Sequence, residues 1–158
     1  MKTQYISSSK AIKGISNSEI ARNENNDCVV RAFASAFEIE YDEAHKIVAE
    51  KFKRKNREGT RAFHTGMRLM SQNGIEFNGK GIKTIENQYG TMLYYATVKG
   101  VKVLRSTTTA YFLKEYSVGT YIVVVKGHAF TIKDGVVIGN PSDAKQRRKH
   151  ILGAWKIG

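Results

Sequence analysis

Cys28 is the only cysteine among the 158 residues. It sits where a polar run, "NENND", breaks into an apolar one, "VVRAFASAF". The reactive form of a cysteine is the thiolate, and an unperturbed thiol is mostly protonated at neutral pH. The first turn of a helix opposes that protonation, because its free amide N–H groups and the positive end of its dipole favour a negative sulfur. With Asp27 as N-cap, Cys28 becomes the first helical residue. The plainer alternative is a small buried hydrophobe, which is what most lone cysteines are. What separates the two is a histidine within reach in the fold.

The chain has four histidines. His45 lies mid-helix beside basic residues and reads as part of a solvated face. His64 opens a later helix as a surface or packing residue, and His150 belongs to a basic tail. His128 differs: it follows Gly127 and opens "HAFTI", directly after "YIVVV", the most apolar run in the chain. A general base on a strand, facing a helix-borne thiol, is the arrangement a thiol nucleophile needs. A three-residue Lys133-Asp134-Gly135 loop pairs Ile132 with Val136, Phe130 with Ile138 and His128 with Asn140. That register gathers the apolar side chains on one face. It sets the Asn140 amide where it fixes the imidazole tautomer, as an orienting third group must. A two-residue Asp134-Gly135 loop splits the apolar set and is the less coherent choice.

The elements that must hold these groups follow from periodicity. Val29, Val30, Phe33, Ala34 and Phe37 recur at helical spacing after Cys28. A second helix fits "YDEAHKIVAEKFKRK", capped by Asp42, with Ala44, Ile47, Val48 and Phe52 inward. A third fits "TRAFHTGMRLMSQNG" between Thr60 and Gly74, burying Phe63, Met67 and Met70; the methionines read as core, not as a cofactor box. "TMLYYATVKG" and "VKVLRS" read as strands, "TTTAYFLKEYSVG" as a short helix, and "TYIVVVKGHAFTIKDGVVIGN" as strongly β. Helices first and sheet second predict an α+β domain over residues 26–158. Residues 1–25, polar with scattered Ile and Tyr, read as an extended or irregular lead-in arm.

The formal net charge is +12. It favours acidic partners, nucleic acid or an acidic protein, although small basic proteins also carry such charge for solubility alone. The cations concentrate at Lys51, Lys53, Arg54 and Lys55, and again around Arg147 and Arg148. Neither run has metal-finger spacing or an RNA-binding aromatic signature, so no metal and no cofactor is expected. No apolar run approaches the roughly 20 residues that cross a bilayer, and a single thiol suits a reducing, cytoplasmic setting.

Cysteine opening a helix, histidine on a later strand and asparagine beyond it, in that order, resemble the papain-like cysteine peptidases. "NDCVVRAF", "YDEAHKIV", "REGT" and "FLKEY…GTYIVVVKGHAFTIKDG" resemble more closely a group of small phage-encoded proteins with that core. The resemblance spans roughly Asn26 to Asn140. It implies a papain-like fold, with N-terminal helices on an antiparallel sheet, and thiol hydrolase chemistry on a peptide or isopeptide bond. It assigns Cys28 as nucleophile, His128 as base and Asn140 as orienter. It places the protein in a host cytoplasm or a virion. Papain-like enzymes carry a glutamine ahead of the cysteine as an oxyanion donor. Here Arg22 stands in that place, with Asn25 and Asn26 nearer, so Arg22 and Asn25 are the candidate donors beside the Cys28 amide.

Overall fold

The computed structural model describes residues 3–85 and 92–158. They form an α+β fold around a seven-stranded sheet with the order β1-β8-β7-β6-β9-β3-β2. The strands are β1 (Tyr5–Ser7), β2 (Glu76–Phe77), β3 (Lys80–Thr84), β6 (Thr120–Val125), β7 (His128–Lys133), β8 (Val136–Gly139) and β9 (Gly153–Ile157). All neighbours are antiparallel except β1, which runs parallel to β8. A separate hairpin joins β4 (Leu93–Val98) to β5 (Val101–Ser106). Thr91 and residues 1–2, included in the strand and lead-in read from sequence, lie outside the described residues.

One face of the sheet carries the helices expected from periodicity. They are α3 (Cys28–Phe37), α4 (Tyr41–Phe52) and α5 (Phe63–Gln72). Phe33, Phe37, Tyr41, Val48 and Met67 are fully buried there against Ile122 and Trp155. The opposite face is covered as well. Phe112, from α6 (Thr109–Glu115), joins Tyr121, Val123, Val125, Phe130, Ile132, Val137 and Ile151 in a second apolar layer. Along β6 the odd positions enter this layer while Ile122 enters the first, the period-two alternation of a sheet buried on both sides.

That double burial overturns the expected hairpin register. Lys133 pairs with Val136, Ile132 with Val137 and Thr131 with Ile138, so the loop is the two residues Asp134-Gly135. Both have positive φ, 47° and 76°, as a tight hairpin turn requires. Gathering all apolar residues on one face is an advantage only when the other face meets water, and here neither does.

The lead-in arm is extended at its start and packs onto the domain. Residues 5–7 pair with β8 as an edge strand, Ile12 and Ile15 are buried, and two short helical turns follow, α1 (Ser8–Ala11) and α2 (Glu19–Arg22). Asp27 is the N-cap residue of α3, as expected, but Asp42 does not cap α4. The N-cap of α4 is Glu40, and neither α3 nor α4 has a side-chain cap bond. Asp42 instead accepts from the Ser18 hydroxyl, and Asp27 is held by side chains described below.

Candidate active site

Helix α3 and strand β7 meet face to face through a small buried polar clamp. The Thr131 hydroxyl donates to the Ala32 carbonyl at 3.0 Å, and the Ser35 hydroxyl lies 2.9 Å from Thr131 Oγ1. Thr131 is fully buried, so these bonds fix how far α3 can slide along β7. Cys28 is the first residue of that helix and His128 the first of that strand, so the clamp fixes one against the other.

The imidazole of His128 has a carboxylate and a thiol for neighbours. Its Nε2 lies 2.9 Å from Asp143 Oδ2, and the Cys28 thiol lines the same cleft near enough to act on the ring's charge. With Nε2 directed at the carboxylate, Nδ1 is the nitrogen left for sulfur. The Asp143 bond, then the Cys28 thiol, raise the imidazole pKa from 6.5 to about 9, against the lowering effect of burial. The ring therefore carries its proton at neutral pH, with a sulfur beside it.

Asp143 takes the place expected for Asn140. Strand β8 ends at Gly139, so Asn140 has no ladder partner opposite His128. The chain turns instead into α7 (Pro141–Lys145), with Asn140 as N-cap and Pro141 at its first position. Asp143 is the third residue of that turn and closes a capping box: the Asn140 amide donates to its Oδ2 at 2.7 Å. One carboxylate oxygen thus serves both the helix start and the imidazole. Gly139 leaves it room. A Cβ there would stand 2.5 Å from Asp143 Oδ2 and 3.0 Å from Phe130 Cβ. The signal was available in the chain as "NPSD", an Asn-x-x-Asp capping pattern just beyond the strand.

A cleft of about 460 Å³ opens over the pair, lined among others by Asn26, Asp27, Arg31, Gly59 and Asn140. The Cys28 amide, at the first helical position, has no acceptor within the helix and is available to an oxyanion. Arg22 and Asn25 are exposed, and neither lines this cleft. The Asn25 carbonyl accepts from Arg54 at 3.2 Å. Asn26 does line it, but its Nδ2 donates to the Arg57 carbonyl at 3.2 Å.

Asp27, beside the sulfur, is tied down by Arg31 Nε at 3.1 Å and the Tyr41 hydroxyl at 2.7 Å. Burial, and then the bond to Asp27, push the Tyr41 phenol well above its ordinary range, so it stays a donor. Arg31 also donates to the Ser8 and Ser9 hydroxyls, each at 3.0 Å, and so latches the N-terminal segment onto the cleft.

The two basic runs part company. Lys51, Lys53 and Lys55 are exposed, but Arg54 is 6% exposed and bonds Glu24 Oε2 at 2.6 Å. Arg54 is therefore a structural cation and not a contact for a partner. His45, expected on a solvated face, binds the same Glu24 oxygen at 2.6 Å. The Arg57 amide takes Glu24 Oε1, also at 2.6 Å, which anchors the segment leading to Gly59 on the cleft wall. Burial would raise the Glu24 carboxyl. The Arg54 and His45 bonds and the Arg57 amide outweigh it and hold the pKa at about 2. Arg147 is half-buried and Arg148 exposed; both line a separate groove.

Among the described residues no group of three His, Cys, Asp or Glu side chains is placed to hold a metal ion. None of the described helices is long and apolar enough to cross a membrane. No protein-family model, curated protein or solved structure matches the chain.

Proposed function

We propose that the protein is a papain-like thiol hydrolase acting on a peptide or isopeptide bond. Cys28 is the nucleophile, His128 the acid and base, and Asp143 the positioning residue. The reading is carried by one observation: a thiol and an imidazole line the same open cleft, with a buried carboxylate 2.9 Å from the ring's Nε2.

In this mechanism the Cys28 sulfur attacks the carbonyl carbon and the carbonyl π pair moves onto oxygen. The Cys28 amide donates to that oxyanion. As the tetrahedral species collapses, the C–N bond breaks and His128 Nδ1–H gives its proton to the departing amine. Water then attacks the thioester while His128 takes one of its protons. The C–S bond breaks, releasing the carboxylic acid and restoring the sulfur and the protonated ring. Asp143 keeps Nδ1 aimed at sulfur throughout.

A second reading has its own support. Neither Arg22 nor Asn25 lines the cleft as a second oxyanion donor, and the net charge is +12. Both suit a papain-like shell that binds nucleic acid or an acidic protein without chemistry. Alkylation of Cys28 by iodoacetamide as a function of pH separates the two. An activated sulfur reacts well below pH 8, and His128→Ala removes that reactivity. Reaction only above about pH 8, as for a free thiol, overturns the hydrolase.

A further inference from the structure

Lys126, in the turn that precedes His128, also forms the rim of a second groove, of about 840 Å³. Its other walls come from residues 145–150, the segment that follows α7 and its Asp143. Leu152 lines both this groove and a second cavity that holds Cys28, His128 and Gly127, so the two adjoin at that side chain. Lys126, Lys145, Arg148 and Lys149 are all exposed along it, and among the described residues no carboxylate lines it. None of these four makes a salt bridge among the described residues. The segment is nonetheless held in shape. The Ala110 amide bonds the Arg147 carbonyl at 2.9 Å, the Thr109 amide bonds the Lys149 carbonyl at 2.8 Å, and Leu152 N bonds the Val124 carbonyl at 2.7 Å.

Resting on the hydrolase reading, we propose that this groove selects the substrate: it receives an acidic stretch of polypeptide flanking the bond presented to Cys28. Unpaired cations on an ordered backbone form a site whose charge is not neutralised from within. Its contact, through Leu152, with the cavity that holds Cys28 and His128 brings a bound segment toward the sulfur. Among the described residues no Phe, Tyr or Trp lines the groove for a base to stack on, which disfavours single-stranded nucleic acid as its occupant. Its extent suits a few residues of chain and not a duplex track.

The test uses the full chain and two chloroacetyl-capped peptides, one with glutamates flanking the reactive group and one with glutamines in their place. Cys28 alkylation is followed by mass spectrometry, with iodoacetamide in parallel. The acidic peptide is expected to label about tenfold faster at low salt, the sum of several exposed ion pairs, and to lose that advantage near 1 M salt. Replacing Arg148 and Lys149 by glutamate should bring the ratio to one or below. Equal labelling by the two peptides, with iodoacetamide still fast, overturns the groove assignment and leaves the hydrolase standing. Slow iodoacetamide labelling overturns the hydrolase itself. A single-stranded oligonucleotide that binds without slowing the acidic peptide supports the assignment. One that binds and blocks both peptides equally, with no acidic preference, overturns it.

Discussion

Two histidine–carboxylate pairs of nearly the same geometry stand among the described residues. His45 Nε2 lies 2.6 Å from Glu24, and His128 Nε2 lies 2.9 Å from Asp143. The third member distinguishes them. At Glu24 it is the Arg54 guanidinium, which completes a buried ionic knot. At His128 it is the Cys28 thiol at the floor of a cleft. A guanidinium cannot give up its proton in a protein, so the first pair can only hold structure together. A thiol can, and the second pair has somewhere to send a proton. The lesson is that a histidine–carboxylate contact is not a site until its third partner is known.

The contrast can be broken most severely at the sulfur. Cys28→Ala should abolish hydrolysis, by roughly 10⁶-fold as for loss of other covalent nucleophiles. The folded protein should persist, with its melting temperature nearly unchanged. Asp143→Asn comes next. It should lower kcat by roughly 10⁴-fold, because the ring loses its orientation. It should also move the alkaline limb of kcat/KM downward from near pH 9, since the bond to Asp143 is the larger cause of the raised imidazole pKa. An unshifted limb would return the positioning role to another residue. The mirror experiment, Glu24→Gln, should cost about 3–5 kcal/mol in urea unfolding, because it strands a buried guanidinium. Its direct effect on the chemistry should be small.

The two pairs should also fail at opposite ends of the pH scale. His128 has its pKa raised on folding, so its contribution is complete below about 6.5 and is lost as pH rises through about 9. Glu24 has its pKa lowered, so its contribution is present above about 4.5 and is lost as pH falls toward 2. Thermal melts of His128→Ala should therefore lose the alkaline decline of the wild type and keep the acid one. Glu24→Gln should do the reverse. The smallest effect is expected at Asn140. Replacement by alanine should cost about 1 kcal/mol as a lost N-cap and leave the alkaline limb near pH 9, in contrast to Asp143→Asn.

How much of this was legible depended on range. Helix α3 and its buried face could be read because Val29, Val30, Phe33, Ala34 and Phe37 repeat at the helical period. The meeting of Cys28 with His128 was legible from residue type and element order. Asp143 was legible only as part of a capping pattern, "NPSD"; its place beside His128 depends on the two-residue turn, and a loop one residue longer sets Asn140 there instead. The Glu24–His45–Arg54 knot joins residues up to 30 apart in sequence, and nothing local to His45 announces a carboxylate overhead. Strands β1 and β9 were also hidden. "YIS" is short and sits in polar sequence, and "GAWKI" follows a basic segment and opens on glycine.

Strand β9 is the latest of the sheet's strands in chain order, yet it lies between β6 and β3. Until it inserts, the β6–β7–β8 ribbon and the β2–β3 ribbon have no shared backbone bond, and each shows a bare edge. Joining residues such as Ile82 and Ile157 closes a long loop, a slow step by its topology. During synthesis the protein therefore passes through an interval as two unjoined ribbons with adhesive borders, the condition in which nascent chains most need a chaperone's shelter.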